Sequence, residues 1–140
     1  MKNYLIFFLL IFVSCQSNTS KKELYAKPDT IAKVEVYYFH QKKGCITCKT
    51  IGELSKNFVL DNFGGKSKEV SYHDIDLSNK ENQSLVDKFE VNWSGLYLLA
   101  HTAKGEVKDN LTEFAFLYAM TNHDTINIVM KNKINNFLKQ

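Results

Sequence analysis

A chain of 140 residues with a formal net charge of only +3 holds one domain's worth of sequence, enough to bury a core without extra staples. Its lysines and acidic residues are interspersed, which leaves no basic stripe for a nucleic-acid partner. Three cysteines make redox compartment the first question, because a thiol pair means different things in a reducing cytosol and in an oxidising secreted space.

At the N-terminus one positive residue, Lys2, precedes an apolar run from Tyr4 to Val13. That run is too short to span a bilayer as a helix and has the size of a signal-peptide core. It closes on Phe12-Val13-Ser14-Cys15, which resembles a bacterial lipobox, where a small residue precedes a cysteine that is lipidated and becomes the first residue after cleavage. Phe12 stands where leucine is usual. The resemblance implies a lipoprotein signal peptide over residues 1–14, lipid on Cys15, and a place in the bacterial cell envelope, anchored to the membrane and facing the periplasm. The plainer alternative is an uncleaved hydrophobic tail with an incidental cysteine. Residues 16–29 are polar, carry the only proline, Pro28, and show no helical or alternating period. They read as a linker that lifts a domain, residues 30–140, off the membrane.

Within that domain Lys33 to Phe39, "KVEVYYF", is β-branched and aromatic, as a buried strand is. From Cys45 a helical pattern puts Cys48, Ile51, Phe58 and Val59 on one face with Leu54 at its edge, until Asn62, Phe63 and Gly64-Gly65 stop it. "EVSYHDIDL", Glu69 to Leu77, is a second strand. Asn79 to Phe89 is helix-like, with Leu85, Val86 and Phe89 on one side. "LYLLAH", Leu96 to His101, a turn at Lys104-Gly105 and a short strand from Glu106 to Lys108 make a hairpin. Thr112 to Leu138 is helical in pattern, broken near Asn122 to Asp124, with Ile126, Val129, Met130, Ile134, Phe137 and Leu138 facing the sheet. A parallel crossover followed by an antiparallel hairpin predicts an α/β fold, a central mixed β-sheet flanked by helices.

This order, with Cys45-Ile46-Thr47-Cys48 opening the helix after the first strong strand, resembles the thioredoxin fold. "DIDLSN" resembles that family's second strand and turn, "LVDKFEVN" its helix before the active-site loop, and "LYLLAHTAKGEV" its hairpin. More narrowly, "VYYFHQKKGCITCKTI" is similar to small thioredoxin-like bacterial proteins grouped as a nitrophenyl-compound nitroreductase subunit. The sequence itself holds no flavin or nicotinamide fingerprint.

Cys-x-x-Cys spacing lets the first thiol sit at a helix N-terminus and the second one turn in, within bonding distance. The positive end of the helix favours a thiolate, and leading thiols in such motifs fall to roughly pKa 3.5 to 7.5. Cys45 is therefore the expected nucleophile and Cys48, on the apolar face, the resolving thiol. Lys42, Lys43 and Lys49 either add to the positive surroundings or form a solvated loop. A structural disulfide of this spacing closes too short a loop to stabilise much. A zinc clip lacks its second ligand pair. Two thiolates do suffice for a soft ion such as Cu(I) or trivalent arsenic, with His40 five residues upstream.

The thioredoxin resemblance also points to a cis-proline before the hairpin strand. In "VNWSGLYLL" that position is Gly95, preceded by Ser94, and glycine does not lock a cis bond. The departure implies a looser substrate edge and a pair more open to metals. Trp93 is a candidate to cover the sulfurs, or plain rim packing. Phe39 and His40 stand near the place of the family's buried acid, so His40 is a candidate base if it faces Cys48. His73, His101 and His123 read as surface or sheet-edge histidines. The resulting expectation is a membrane-anchored, periplasm-facing thiol–disulfide oxidoreductase, with no cofactor beyond a Cys45–Cys48 disulfide. Its partners are protein or small-molecule thiols and disulfides, its membrane link is lipid on Cys15, and its state is monomeric. A binding protein for copper or arsenic is the alternative.

Overall fold

A computed structural model describes residues 31–64 and 69–140. The expected signal peptide, the expected lipidation site Cys15, the expected linker and Gly65 lie outside the described residues. In chain order the elements are β1 (Val34–His40), α1 (Ile46–Phe63), β2 (Val70–Asp76), a 3-10 turn (Lys80–Asn82) leading into α2 (Gln83–Phe89), β3 (Gly95–Thr102), β4 (Gly105–Asn110), α3 (Thr112–Tyr118) and α4 (His123–Leu138).

The sheet order is β2-β1-β3-β4. β1 runs parallel to β2, from Val34↔Val70 to His40↔Asp76, and antiparallel to β3, from Val34↔Ala100 to Phe39↔Gly95. β1 is thus interior and covered on both faces, which is why its sequence is apolar almost throughout instead of alternating. Val34, Val36 and Tyr38 join a core with Ile51, Phe58 and Val59 of α1, Ala115 of α3 and Ile126, Met130 and Ile134 of α4. Tyr37 and Phe39 point to the other face and pack with Phe89 of α2, Val91, Tyr97 and Leu99. Three helices on one face of a mixed four-stranded sheet and one on the other make the expected thioredoxin-like α/β fold.

Local signals set the ends of the elements. Gly64 takes a left-handed conformation, φ 70°, and its N–H returns to Leu60 O, closing α1 as a C-terminal glycine does. The break expected near Asn122 is real: α3 ends at Tyr118, and Asn122 accepts from Thr125 N–H at 3.1 Å to start α4. Two boundaries differ from the sequence reading. The stretch from Asn79 begins as a 3-10 turn, capped by Asn79 Oδ1 on Glu81 N–H, before the α-helix takes over. β4 runs on to Asn110 because Asp109 and Asn110 still pair with Leu98 and Tyr97. Polar residues hide a strand of this kind from pattern reading, since a solvated edge needs no apolar face.

Candidate functional site

β1 ends at His40, and after four intervening residues the chain enters α1 with Cys45 as its N-cap. Cys45 is extended (φ −68°, ψ 168°), and its Sγ accepts the Cys48 N–H at 3.2 Å. That amide is one of the unpaired donors at a helix start, a favourable neighbour for sulfur carrying negative charge. The first turn of α1 holds no acidic residue to oppose it. Cys45 and Cys48 lie at disulfide distance, with Cα atoms 5.1 Å apart, inside the range a disulfide needs. Cys45 is exposed, whereas Cys48 is 8% exposed.

Beneath the pair, the Tyr38 hydroxyl donates to the Cys48 carbonyl at 2.5 Å. Burial, and then the nearby Asp74 carboxylate, push the phenol pKa up to about 12, so it remains a donor through the neutral range. This tie was not legible in the sequence, where Tyr38 reads simply as strand core.

His40 is not turned over to the sulfurs by its hydrogen bonding. Its Nε2 lies 2.9 Å from Asp74 Oδ1, its Nδ1 3.3 Å from Gln41 O, and its ring stacks on Tyr38 at 5.7 Å. His40 and Lys49 do share a pocket of about 280 Å3 with Tyr38, Gly44, Lys56 and Asp74. Ser94 is buried, and Gly95 opens β3 opposite Phe39. A Cβ on Gly95 would stand 2.7 Å from Thr112 Oγ1 and 2.8 Å from Tyr97 Cε2, so close packing explains the glycine. Trp93 is 65% exposed and stacks on Phe116 at 6.1 Å, which makes it rim packing against α3.

The remaining histidines divide. His123 Nε2 sits 2.7 Å from Ala119 O at the α3–α4 junction. His73 and His101 flank Glu35, with Nε2 atoms 3.0 and 2.8 Å from its two carboxylate oxygens. His101, expected as a surface or sheet-edge histidine, is partly exposed on β3, an interior strand, and joins a polar network at the end of β1 away from the cysteines. Among the described residues no group of three His, Cys, Asp or Glu side chains is arranged to hold a metal ion.

No family model matches the chain, and no curated protein does. A solved structure described as a malarial protein is similar at 21% identity over 65% of this chain and 97% of that one, with a TM-score of 0.40. A likeness at that level says nothing about function.

Proposed function

We propose that the protein is a thiol–disulfide oxidoreductase whose centre is the Cys45–Cys48 pair. The observation that carries the reading is the asymmetry of the two sulfurs: Cys45 exposed at a helix N-terminus and accepting an amide, Cys48 buried one turn behind it. Exchange needs that division of labour. The Cys45 thiolate attacks a substrate disulfide and forms a mixed disulfide, releasing one substrate thiolate. Cys48 then attacks Cys45 Sγ and releases the second, leaving the pair oxidised and the substrate reduced by two electrons. The reverse sequence oxidises a dithiol substrate. Attachment through lipid on Cys15, facing the periplasm of a bacterial envelope, belongs to the same proposal and rests on the sequence.

Redox titration of the full chain, with alkylation and intact mass to count thiols, tests it. A two-electron transition between roughly −120 and −270 mV, the span of working dithiol proteins, is expected. A pair still oxidised below about −300 mV would be a structural staple and would overturn the reading. Copper or arsenic retained stoichiometrically by the reduced protein would replace exchange with carriage of a thiophilic ion.

A further inference from the structure

Between α1 and the C-terminal ends of β1 and β2 lies the pocket of about 280 Å3, lined by the chain neighbours of the cysteines and not by the cysteines themselves. Gly44 precedes Cys45 and Lys49 follows Cys48, so the pocket adjoins both cysteines in the chain. Its lysines outnumber its carboxylates by three to two. Lys42, Lys49 and Lys56 line it and are exposed, and none of them forms an ion pair among the described residues. Its two carboxylates are Glu53 and Asp74, the latter 2.9 Å from His40 Nε2, and Asp76 lies near enough to Lys42 for their charges to interact. Residues 41–50 contain three lysines and no acid, while the chain as a whole is only +3. The positive end of α1 adds to the same region, with no acidic residue in its first turn to offset it.

We propose that this pocket selects small disulfides that carry carboxylates close to the sulfur, the carboxylate entering between Lys42, Lys49 and Lys56 while the sulfur meets Cys45. The inference rests on the exchange reading and adds its substrate class. The volume sits just below the lower end of ordinary small-ligand pockets, about 300 Å3, and suits a group the size of one amino acid. The chemical step is the one above: Cys45 takes one substrate sulfur, the other leaves as a thiolate, and Cys48 expels the first. Two electrons pass from the protein dithiol to the substrate, and the proton of Cys48 passes to water.

The test is single turnover, with the full chain reduced beforehand, so that no external reductant is needed. Three probes are compared: dithiodipropionate (anionic), hydroxyethyl disulfide (neutral) and cystamine (cationic). Each rate is divided by that of free mercaptoethanol with the same disulfide at the same pH and salt, which removes intrinsic reactivity. At low salt the normalised anionic rate should exceed the cationic one by on the order of tenfold. At 1 M salt, where screening acts within about 3 Å, the preference should largely vanish. Lys56→Glu should shrink or reverse the ratio, and Lys42→Glu, from a different part of the wall, should do the same if the Lys56 variant fails to fold. A lysine that acted only by lowering a thiol pKa would change all three rates alike and leave the ratio fixed. Equal normalised rates in the unaltered protein overturn the pocket while exchange stands. No reaction with any probe, on a pair shown by alkylation to be reduced, overturns exchange itself.

Discussion

The phenol of Tyr38 fills the space a side chain would need at Gly52, since a Cβ there would stand 2.5 Å from Tyr38 Cε1 and 2.9 Å from Cδ1. The same phenol reaches past Gly52 to bond the Cys48 carbonyl. A glycine in the interior of α1 costs the helix about 1 kcal/mol relative to alanine, and here it lets a residue of β1 fasten the turn that carries the buried sulfur. Fold and dithiol are tied at one place.

Gly52→Ala is therefore expected to destabilise the protein by about 1–3 kcal/mol, the usual cost of overpacking, despite the gain in helix propensity. Urea unfolding followed by circular dichroism measures it, and a rise in midpoint would refute the close approach. Tyr38→Phe keeps the ring and removes the donor, so a smaller loss of about 1 kcal/mol is expected.

Substitution of the two cysteines should separate their roles. With Cys45→Ser, exchange with a small disulfide is abolished and circular dichroism stays near that of the unaltered chain. With Cys48→Ser, Cys45 still attacks, but nothing expels the product, so a mixed disulfide accumulates and is seen by intact mass. The opposite pattern, trapping by the Cys45 variant, would reverse the assignment.

Much of this was readable from the chain because the signals are local. The run from Val34 to Phe39, the helix opening at Cys45, its stop at Gly64 and the turn at Gly105 each follow from residues close in sequence. What could not be read depends on which strands lie side by side. Period-two patterning assigns Glu35 to a face, but only the register brings in His73 from β2 and His101 from β3, the latter 66 residues away. Tyr38 and Cys48 are likewise joined by the packing of α1 on the sheet, for which neither residue carries a mark. Gly95 stands in the sequence where the thioredoxin resemblance implies a proline, whereas the proximity of Thr112 and Tyr97 that leaves no room for a Cβ there belongs to tertiary structure.

Gly95→Ala should be destabilising by about 1–3 kcal/mol, because the Thr112 and Tyr97 side chains must both give way. Thr112→Val tests the same junction from the other side. Thr112 Oγ1 accepts the Leu96 N–H at 3.1 Å, and valine leaves that buried donor unpaired, at a cost of about 1–3 kcal/mol. Thermal unfolding of the two variants measures both. If Thr112→Val is neutral, the hydroxyl is not holding the start of β3.

The Glu35 network should appear in acid. Burial alone would push this carboxyl up, but hydrogen bonds from His73 and His101, with their charge, outweigh it and lower the pKa from 4.5 to about 2. A carboxyl depressed on folding contributes stability that is complete above its unfolded value and is lost as pH falls through its folded one. The loss attached to Glu35 therefore runs from about pH 4.5 down to about 2. The site is only partly shielded, so solvent reduces the contribution to about 1–2 kcal/mol. Glu35→Gln should lower stability at pH 7 and flatten the stability curve over that acid window, measured by urea midpoints at stepped pH. An unchanged acid slope in the variant would mean that the two histidines do not hold Glu35 ionised, and that the loss of stability in acid comes from other carboxylates.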